Sequence, residues 1–135
     1  MRAALWPESS LGEQHKEVES WFANGSAGTL PAAILVSHTP NQSLIGFLEV
    51  SLRSHADGCD PAHPVGYVEG WYVIPEARGR GVGAALMRAA EDWARTHGAR
   101  EMASDALIDN HPSELAHRAL GYEVVDRCVH LRKSI

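Results

Sequence analysis

The segment Val73-Ile74-Pro75-Glu76-Ala77-Arg78-Gly79-Arg80-Gly81-Val82-Gly83-Ala84-Ala85-Leu86 decides the fold of this chain. A strand is predicted to end at Pro75, a glycine-rich turn follows, and a helix begins. Such a turn directs several backbone N–H groups toward one point, and the N-terminus of the helix adds partial positive charge. The glycines let an anion approach the backbone, and Arg78 and Arg80 add positive charge. The segment is therefore predicted to bind a phosphate-like anion.

Two common phosphate-binding motifs fit this segment poorly. The P-loop of nucleoside triphosphatases requires Gly-Lys-Ser/Thr, which is absent. Gly79-x-Gly81-x-x-Ala84 satisfies the loose dinucleotide fingerprint, with Glu101 downstream, but only about fifty residues follow it, too few for a dinucleotide-binding domain. A turn that merely joins strand to helix would explain neither the two arginines nor three glycines in five positions.

The remaining sequence predicts a single domain, residues 1–135, with a mixed α/β sheet. Strands are predicted over residues 32–38, 44–53, 65–74 and 100–107, with one or two more within 122–133. Helices are predicted over residues 10–23, 81–97 and 112–120. In the second strand, the even positions from Leu44 to Leu52 share one apolar face.

Composition bears on the class of function. The net charge of −5, from 17 acidic and 12 basic residues, argues against a nucleic-acid partner and suits a cationic small molecule. An acidic surface that merely maintains solubility would give the same charge, so net charge alone does not decide between them. No apolar run approaches the ~20 residues of a membrane span, and the start does not resemble a signal peptide. Cys59 and Cys128 lack framework spacing, which predicts free thiols in a reducing cytoplasm. The eight histidines lack paired ligand spacing, so no metal site is predicted, and His97, His111 and His117 are interpreted as surface residues.

The pattern Arg78-x-x-Gly81-x-Gly83, after a strand that ends Val-x-Pro, resembles the pyrophosphate loop of the GCN5-related N-acetyltransferase family. The resemblance runs from about residue 30 to the end of the chain. Five shorter stretches resemble the aminoglycoside 6′-N-acetyltransferases: Leu5-Trp6-Pro7, Gly58-Cys59-Asp60, Val68-Glu69-Gly70, Arg100-Glu101-Met102-Ala103-Ser104-Asp105 and Ala119-Leu120-Gly121-Tyr122-Glu123. The hexapeptide that ends at Asp105 is the most specific, because no general folding rule requires it.

The resemblance implies an α/β (α+β) acetyltransferase fold, with a mixed, mostly antiparallel sheet flanked by helices. Relatives carry further residues before the Leu-Trp-Pro stretch, so the sheet is expected to lack its first edge strand unless the start of the chain is misassigned. The resemblance also implies a homodimer formed through the C-terminal strands, with residues 124–131 at the interface.

The resemblance further implies that acetyl-CoA is the co-substrate and an aminoglycoside the acceptor. Residues expected to hold the coenzyme are Trp71, Tyr72, Val73, Gly79, Arg80, Gly81, Val82, Gly83, Ala84 and Asn110. Residues expected to contact the acceptor are Trp6, His55, Glu69, Asp105 and Asp126. Three alternatives stay open: Asn110 as a helix cap, Trp6 as helix packing, and Asp126 as an exposed strand charge.

Amide formation needs a neutral amine, an oriented thioester and a stabilised oxyanion, the last supplied by backbone N–H groups of a splayed strand. Glu69 is the leading proton acceptor and Asp105 the carboxylate that binds the ammonium, although these roles could be exchanged. Strand alternation predicts Tyr67, Glu69, Trp71 and Val73 on one face. The structural alternatives are that Glu69 pairs with an arginine and that Asp105 caps a strand end.

Direct transfer needs no protein nucleophile, so a ternary complex is expected rather than an acyl-enzyme. Two other functions remain open at this point. One is acetylation of a different amine, such as a polyamine, a small metabolite or a protein N-terminus. The other is a non-catalytic coenzyme A-binding module, which would bind the coenzyme without turnover.

Overall fold

The computed structural model describes residues 1–5, 10, 13, 15, 16, 19 and 30–135. Along the chain these form helix α1 (Arg2–Leu5), strands β1 (Ala32–His38), β2 (Leu44–Arg53) and β3 (Val65–Val73), a 3₁₀ turn (Pro75–Ala77), helix α2 (Val82–Thr96), strand β4 (Glu101–Ser104) and helix α3 (His111–Ala119). Trp6 and most of the helix predicted over residues 10–23 lie outside the described residues.

The four described strands form one sheet in the order β1-β2-β3-β4. β1, β2 and β3 are antiparallel neighbours, and β4 is parallel to β3. Helix α2 makes the crossover between β3 and β4 that a parallel pair requires. These elements confirm the predicted mixed, mostly antiparallel sheet flanked by helices, and among the described residues β1 and β4 are its outer strands.

The core lies between one face of the sheet and helix α2. Its buried side chains come from both layers: Leu48, Val50, Val68, Leu86, Met87 and Ala90. The even positions of β2 therefore face the core as predicted, except that Leu44 at the start of the strand is exposed. Burial of each large aliphatic side chain contributes roughly 1.5–3 kcal/mol, and together these contacts fix helix α2 against β2 and β3.

A bulge in β3 changes which side chains share a face. Glu49 pairs with Gly70 and Val50 pairs with Val68, so Glu69 is the extra residue of the bulge. The prediction that Tyr67, Glu69, Trp71 and Val73 lie on one face is therefore wrong. Tyr67 lies opposite Ser51 in β2, whereas Trp71 and Val73, which follow the bulge, pack against the core on the helix side.

The C-terminal segment differs from its prediction. Residues 123–135 are exposed, and no strand is formed there, so the strands predicted over 122–133 are wrong for this chain. A strand requires backbone hydrogen bonds to a neighbouring strand, and this segment pairs with none of the four described strands. Strand β4 is likewise only four residues long, shorter than the predicted 100–107.

Candidate active site

The connection from β3 to α2 is a compact turn. Its backbone hydrogen bonds run from the Ala77 N–H to the Ile74 carbonyl at 3.0 Å and from the Arg78 N–H to the Pro75 carbonyl at 3.2 Å. The Arg78 side chain folds back, and its Nε donates to the Val73 carbonyl at 2.8 Å. Of the two arginines predicted to add charge here, Arg78 therefore braces the turn, and Arg80 is exposed beside it.

The turn leaves its backbone open at two glycines. Gly79 and Gly81 have φ angles of 69° and 82°, and a Cβ at either position would meet nothing within 4 Å. Gly81 is the N-cap of α2 and has no side chain that could accept from the N–H groups of the first helical turn. Open backbone at an uncapped helix N-terminus suits a phosphate group, because the first N–H groups of a helix have no partner within the helix. The residues present thus fit the pyrophosphate of coenzyme A.

Trp71 lies directly beneath the start of α2. A Cβ at Gly83 would lie 2.8 Å from Cζ2 of the Trp71 ring, so glycine allows the helix to sit on the indole. The indole N–H is buried and finds no hydrogen-bond acceptor among the described residues. Because the Trp71 and Val73 side chains pack against the core, contacts of these two residues with a coenzyme would use their backbone atoms.

The bulge residue Glu69 is held on the opposite face of the sheet by two residues of β2. Its Oε1 accepts from the Ser51 hydroxyl at 2.5 Å and from Arg53 Nε at 3.1 Å. Its Oε2 accepts from Arg53 Nη2 at 2.7 Å. Burial acts to lower the pKa of Arg53, but the hydrogen bonds and charge of Glu69 outweigh it, and the pKa is raised. Glu69 therefore pairs with an arginine, which was the structural alternative to a role in proton transfer.

Asp105 lies immediately after β4 and is joined to β3 by Tyr67. The Tyr67 hydroxyl donates to Oδ1 of Asp105 at 2.9 Å. Arg53 covers the Tyr67 ring, with its guanidinium carbon 3.3 Å from the ring centroid. Burial, followed by the hydrogen bond to Asp105, raises the pKa of Tyr67 to about 12. The phenol is therefore a stable donor at neutral pH.

A cleft of about 840 Å³ opens beside Asp105. Its lining includes Arg53, His55, Tyr67, Asp105 and Asp126, whereas Glu69 is not among the described residues that line it. Seven carboxylates and three arginines of the described residues face the cleft, so its charge favours a cation. The sequence-predicted residues His55, Asp105 and Asp126 are thus brought to one cleft, and Glu69 is paired with its lining residue Arg53.

The pairing of β3 with β4 ends at Val68 and Ser104, so the two strands part beside Glu69. His117 of α3 fills the gap: one ring nitrogen lies 3.0 Å from Ser104 Oγ, and the ring stands edge-on to Trp71 at 5.2 Å. The interpretation of His117 as a surface residue is therefore wrong, whereas His97 and His111 are exposed. The contact of His117 with Trp71 joins α3 to β3, two elements that are far apart in the sequence.

Asn110 is the N-cap of helix α3. Its Oδ1 accepts from the Ser113 N–H at 3.2 Å, which is the helix-cap geometry considered above. This bond occupies the carbonyl oxygen and does not involve the amide nitrogen of the side chain. A contact with coenzyme through that nitrogen thus stays a prediction.

Sequence reasoning did not single out Arg53, Ser51 or Tyr67 as parts of the site. One available signal was polar spacing in β2, because Glu49, Ser51 and Arg53 interrupt an apolar strand at alternate positions. That spacing places three polar side chains on the face away from the core. The identity of their partners depended on strand register, which the sequence did not specify.

The fold and the site can be compared with known proteins. The sequence model of the acetyltransferase (GNAT) family matches residues 1–122. The chain is 41% identical to aminoglycoside N(6')-acetyltransferase type 1 of Klebsiella aerogenes, over 100% of this chain and 87% of that protein. It is 35% identical to the protein of the same name from Stenotrophomonas maltophilia, over 100% of this chain and 84% of that protein.

Two solved structures show the same fold over nearly the whole chain. A complex of AAC(6')-Iy with the bisubstrate analogue CoA-S-monomethyl-acetylneamine has a TM-score of 0.88 at 32% identity, covering 100% of this chain and 88% of that one. AAC(6')-IG of Acinetobacter haemolyticus has a TM-score of 0.87 at 34% identity, covering 99% and 88%. Fold and site thus define an acetyl-CoA-dependent N-acetyltransferase. The chain belongs to the acetyltransferase (GNAT) family, as its sequence predicted.

Proposed function

We propose that this protein is an aminoglycoside 6′-N-acetyltransferase, which transfers an acetyl group directly from acetyl-CoA to the 6′-amine of an aminoglycoside. The observation that carries the proposal is the meeting of two features on β3. The open turn at Gly79 and Gly81, which we name the phosphate cradle, follows its C-terminal end. Glu69 lies at its bulge, and Asp105 follows β4 at the point where the two strands part. The names of the relatives and the acidic cleft support the choice of acceptor.

The coenzyme would be held along the turn from β3 to α2. Backbone N–H groups of Gly79, Arg80, Gly81, Val82, Gly83 and Ala84 would bind its pyrophosphate, and Arg80 would add charge. The backbone of Trp71, Tyr72 and Val73 would orient the thioester, with the Val73 N–H toward the acetyl oxygen. Asn110 would contact the pantetheine arm through its amide nitrogen. Bound acetyl-CoA supplies the activated acyl carbon, and the remaining chemistry concerns the amine.

The acceptor would be bound and deprotonated by the carboxylates. At neutral pH the amine arrives as an ammonium ion, which a carboxylate binds and from which it takes a proton directly or through water. Asp105 and Glu69 are the carboxylates proposed for these steps. His55, Asp126 and Trp6 would contact the sugar rings, and the first two already line the cleft.

Direct transfer is also supported by the state of the cysteines. Both Cys59 and Cys128 are free, as predicted. Burial, followed by the nearby Glu101 and Asp57, raises the pKa of Cys59, so this thiol is held protonated and is a poor nucleophile. Free thiols are also typical of a reducing compartment, which supports a cytoplasmic location. No helix in the described part of the chain is long and apolar enough to cross a membrane.

A homodimer is part of the proposal. The C-terminal segment, residues 123–135, exposes aliphatic side chains, including Val129 at 81% and Leu131 at 91%. Exposed aliphatic side chains of this kind are suited to pack against a second copy. Light scattering after gel filtration would test this: the wild type should elute as a dimer, and Val129→Asp/Leu131→Asp as a monomer. A monomeric wild type would refute the dimer.

The activity is tested by thiol release from acetyl-CoA with purified protein over a panel of amines. The panel includes kanamycin, its 6′-hydroxy analogue, spermidine and a peptide with a free N-terminus. Turnover of kanamycin but not of the 6′-hydroxy analogue is expected. Turnover of the other amines alone would contradict the aminoglycoside assignment, and coenzyme A binding without any turnover would indicate a non-catalytic module.

The carboxylates are tested by isosteric variants. Glu69→Gln and Asp105→Asn should each reduce kcat by about 10²-fold or more, because each removes a proton acceptor or an ammonium partner. Unchanged KM for acetyl-CoA serves as the control that the coenzyme site is intact. Wild-type rates in both variants would rule out the carboxylate mechanism.

A further inference from the structure

The two carboxylates of the site are held in different ways. Glu69 accepts three hydrogen bonds, one from Ser51 and two from Arg53, and both of its oxygens are used. Asp105 accepts one hydrogen bond, from Tyr67 to Oδ1, and among the described residues it has no other donor. Asp105 therefore retains acceptor capacity for a cationic amine, whereas Glu69 is largely satisfied within the protein.

Asp105 is exposed and follows the last residue of a short strand, so its backbone alone does not fix the direction of its side chain. The hydrogen bond from Tyr67 fixes that direction. Its ring is half-buried on β3 and is covered by Arg53, which Glu69 holds in turn. The contacts form one chain, Ser51–Glu69–Arg53–Tyr67–Asp105, that runs from β2 across β3 to the end of β4.

We propose that Tyr67 is a positioning residue for the acceptor amine: its hydroxyl orients the Asp105 carboxylate toward the cleft, and Arg53 and Glu69 keep the Tyr67 ring in place. This inference rests on the proposed function and assigns a different role to each of the two carboxylates. Asp105 meets the ammonium, and Glu69, besides its proposed part in proton transfer, anchors the arginine that covers Tyr67. The absence of Glu69 from the described cleft lining, and the presence of Asp105, Tyr67 and Arg53 in it, agree with this division.

The physical basis is the directional strength of a hydrogen bond to a charged acceptor. A bond of this kind fixes the carboxylate plane and leaves its second oxygen for the ligand. Without it, Asp105 samples several rotamers, and the amine must order the side chain when it binds. The expected loss is about 10- to 100-fold in kcat/KM for the amine, the range for a hydrogen bond to a charged group.

A double-mutant cycle on the full-length protein tests the inference. Tyr67→Phe keeps the ring under Arg53 and removes only the hydroxyl. It should lower kcat/KM for the amine about 10- to 100-fold and leave KM for acetyl-CoA unchanged. In the Asp105→Ala background the same change should have an effect of less than about twofold, because the acceptor of the Tyr67 hydroxyl is already absent.

Thr96→Val is the control, because it removes the hydroxyl of a residue that does not line the cleft, one that donates to the Trp93 carbonyl at 2.7 Å. It should leave kcat/KM for the amine unchanged. Equal losses from Tyr67→Phe in both backgrounds, or wild-type kinetics in Tyr67→Phe, would overturn the inference.

The amine used in the cycle is the one that the wild type acetylates fastest in the panel described above. If that amine is not an aminoglycoside, the proposed function fails, and the cycle still decides the role of Tyr67. If the wild type acetylates no amine, both conclusions fail.

Discussion

The open phosphate cradle makes a strong prediction for Gly81→Ala. Gly81 has a φ of 82°, a left-handed conformation that alanine adopts only with strain. The added methyl group would meet no protein atom within 4 Å, so it would point into the space where the coenzyme pyrophosphate is proposed to bind. The substitution should therefore weaken coenzyme binding by more than it weakens the fold.

The expected losses of fold stability and of coenzyme affinity differ in size. The left-handed conformation costs about 1–2 kcal/mol for alanine, and the lower entropy of the unfolded chain offsets about 0.4–1 kcal/mol of that cost. The net loss of about 0.5–1.5 kcal/mol should lower Tm by roughly 2–8 °C. Intrusion on the pyrophosphate should reduce coenzyme A affinity at least tenfold, about 1.4 kcal/mol or more.

Gly98→Ala is the matched control for backbone strain. Gly98 has a φ of 87° at the opposite end of the same helix, and its nearest contact for a Cβ is Pro64 Cγ at 4.0 Å. Both variants should lose similar thermal stability in a denaturation scan. Only Gly81→Ala should lose coenzyme A affinity in isothermal titration calorimetry. Wild-type affinity in Gly81→Ala, or an equal loss of affinity in Gly98→Ala, would refute the assignment of the cradle.

Two further predictions address single residues. Asn110→Asp keeps an acceptor for the Ser113 N–H and removes the amide donor of the side chain. The Tm should therefore be retained while KM for acetyl-CoA rises. An unchanged KM would show that Asn110 acts as a helix cap alone. Burial and then the bond to Asp105 raise the pKa of Tyr67 to about 12, above the ~10 of an unfolded tyrosine. The contribution of this pKa shift to stability is complete below pH ~10 and is lost as pH rises through about 12. The urea midpoint of unfolding should therefore fall between these pH values, and it should fall less steeply in Tyr67→Phe. Equal pH dependence in the two proteins would contradict this.

Local sequence signals predicted most of the elements well. Strands β1 and β2 have their predicted bounds. Strand β3 ends one residue earlier than predicted, and helix α2 is one residue shorter than predicted at each end. These elements carry strong periodicity and are bounded by proline, glycine or polar turns, which act over a few residues. Residues 122–133 have strand-like composition, but pairing depends on a neighbour, and composition does not provide one.

The sequence by itself predicted the glycine-rich turn between β3 and α2, because such a turn is a local arrangement of backbone N–H groups. It also singled out Glu69 and Asp105 as candidate carboxylates. Only the tertiary structure decided how they differ. The bulge at Glu69 turns Trp71 into the core, and the register of β2 brings Arg53 onto Glu69 and Tyr67. The parting of β3 and β4 leaves Asp105 facing the cleft. Register and bulges result from packing between distant segments, so no local pattern encodes them.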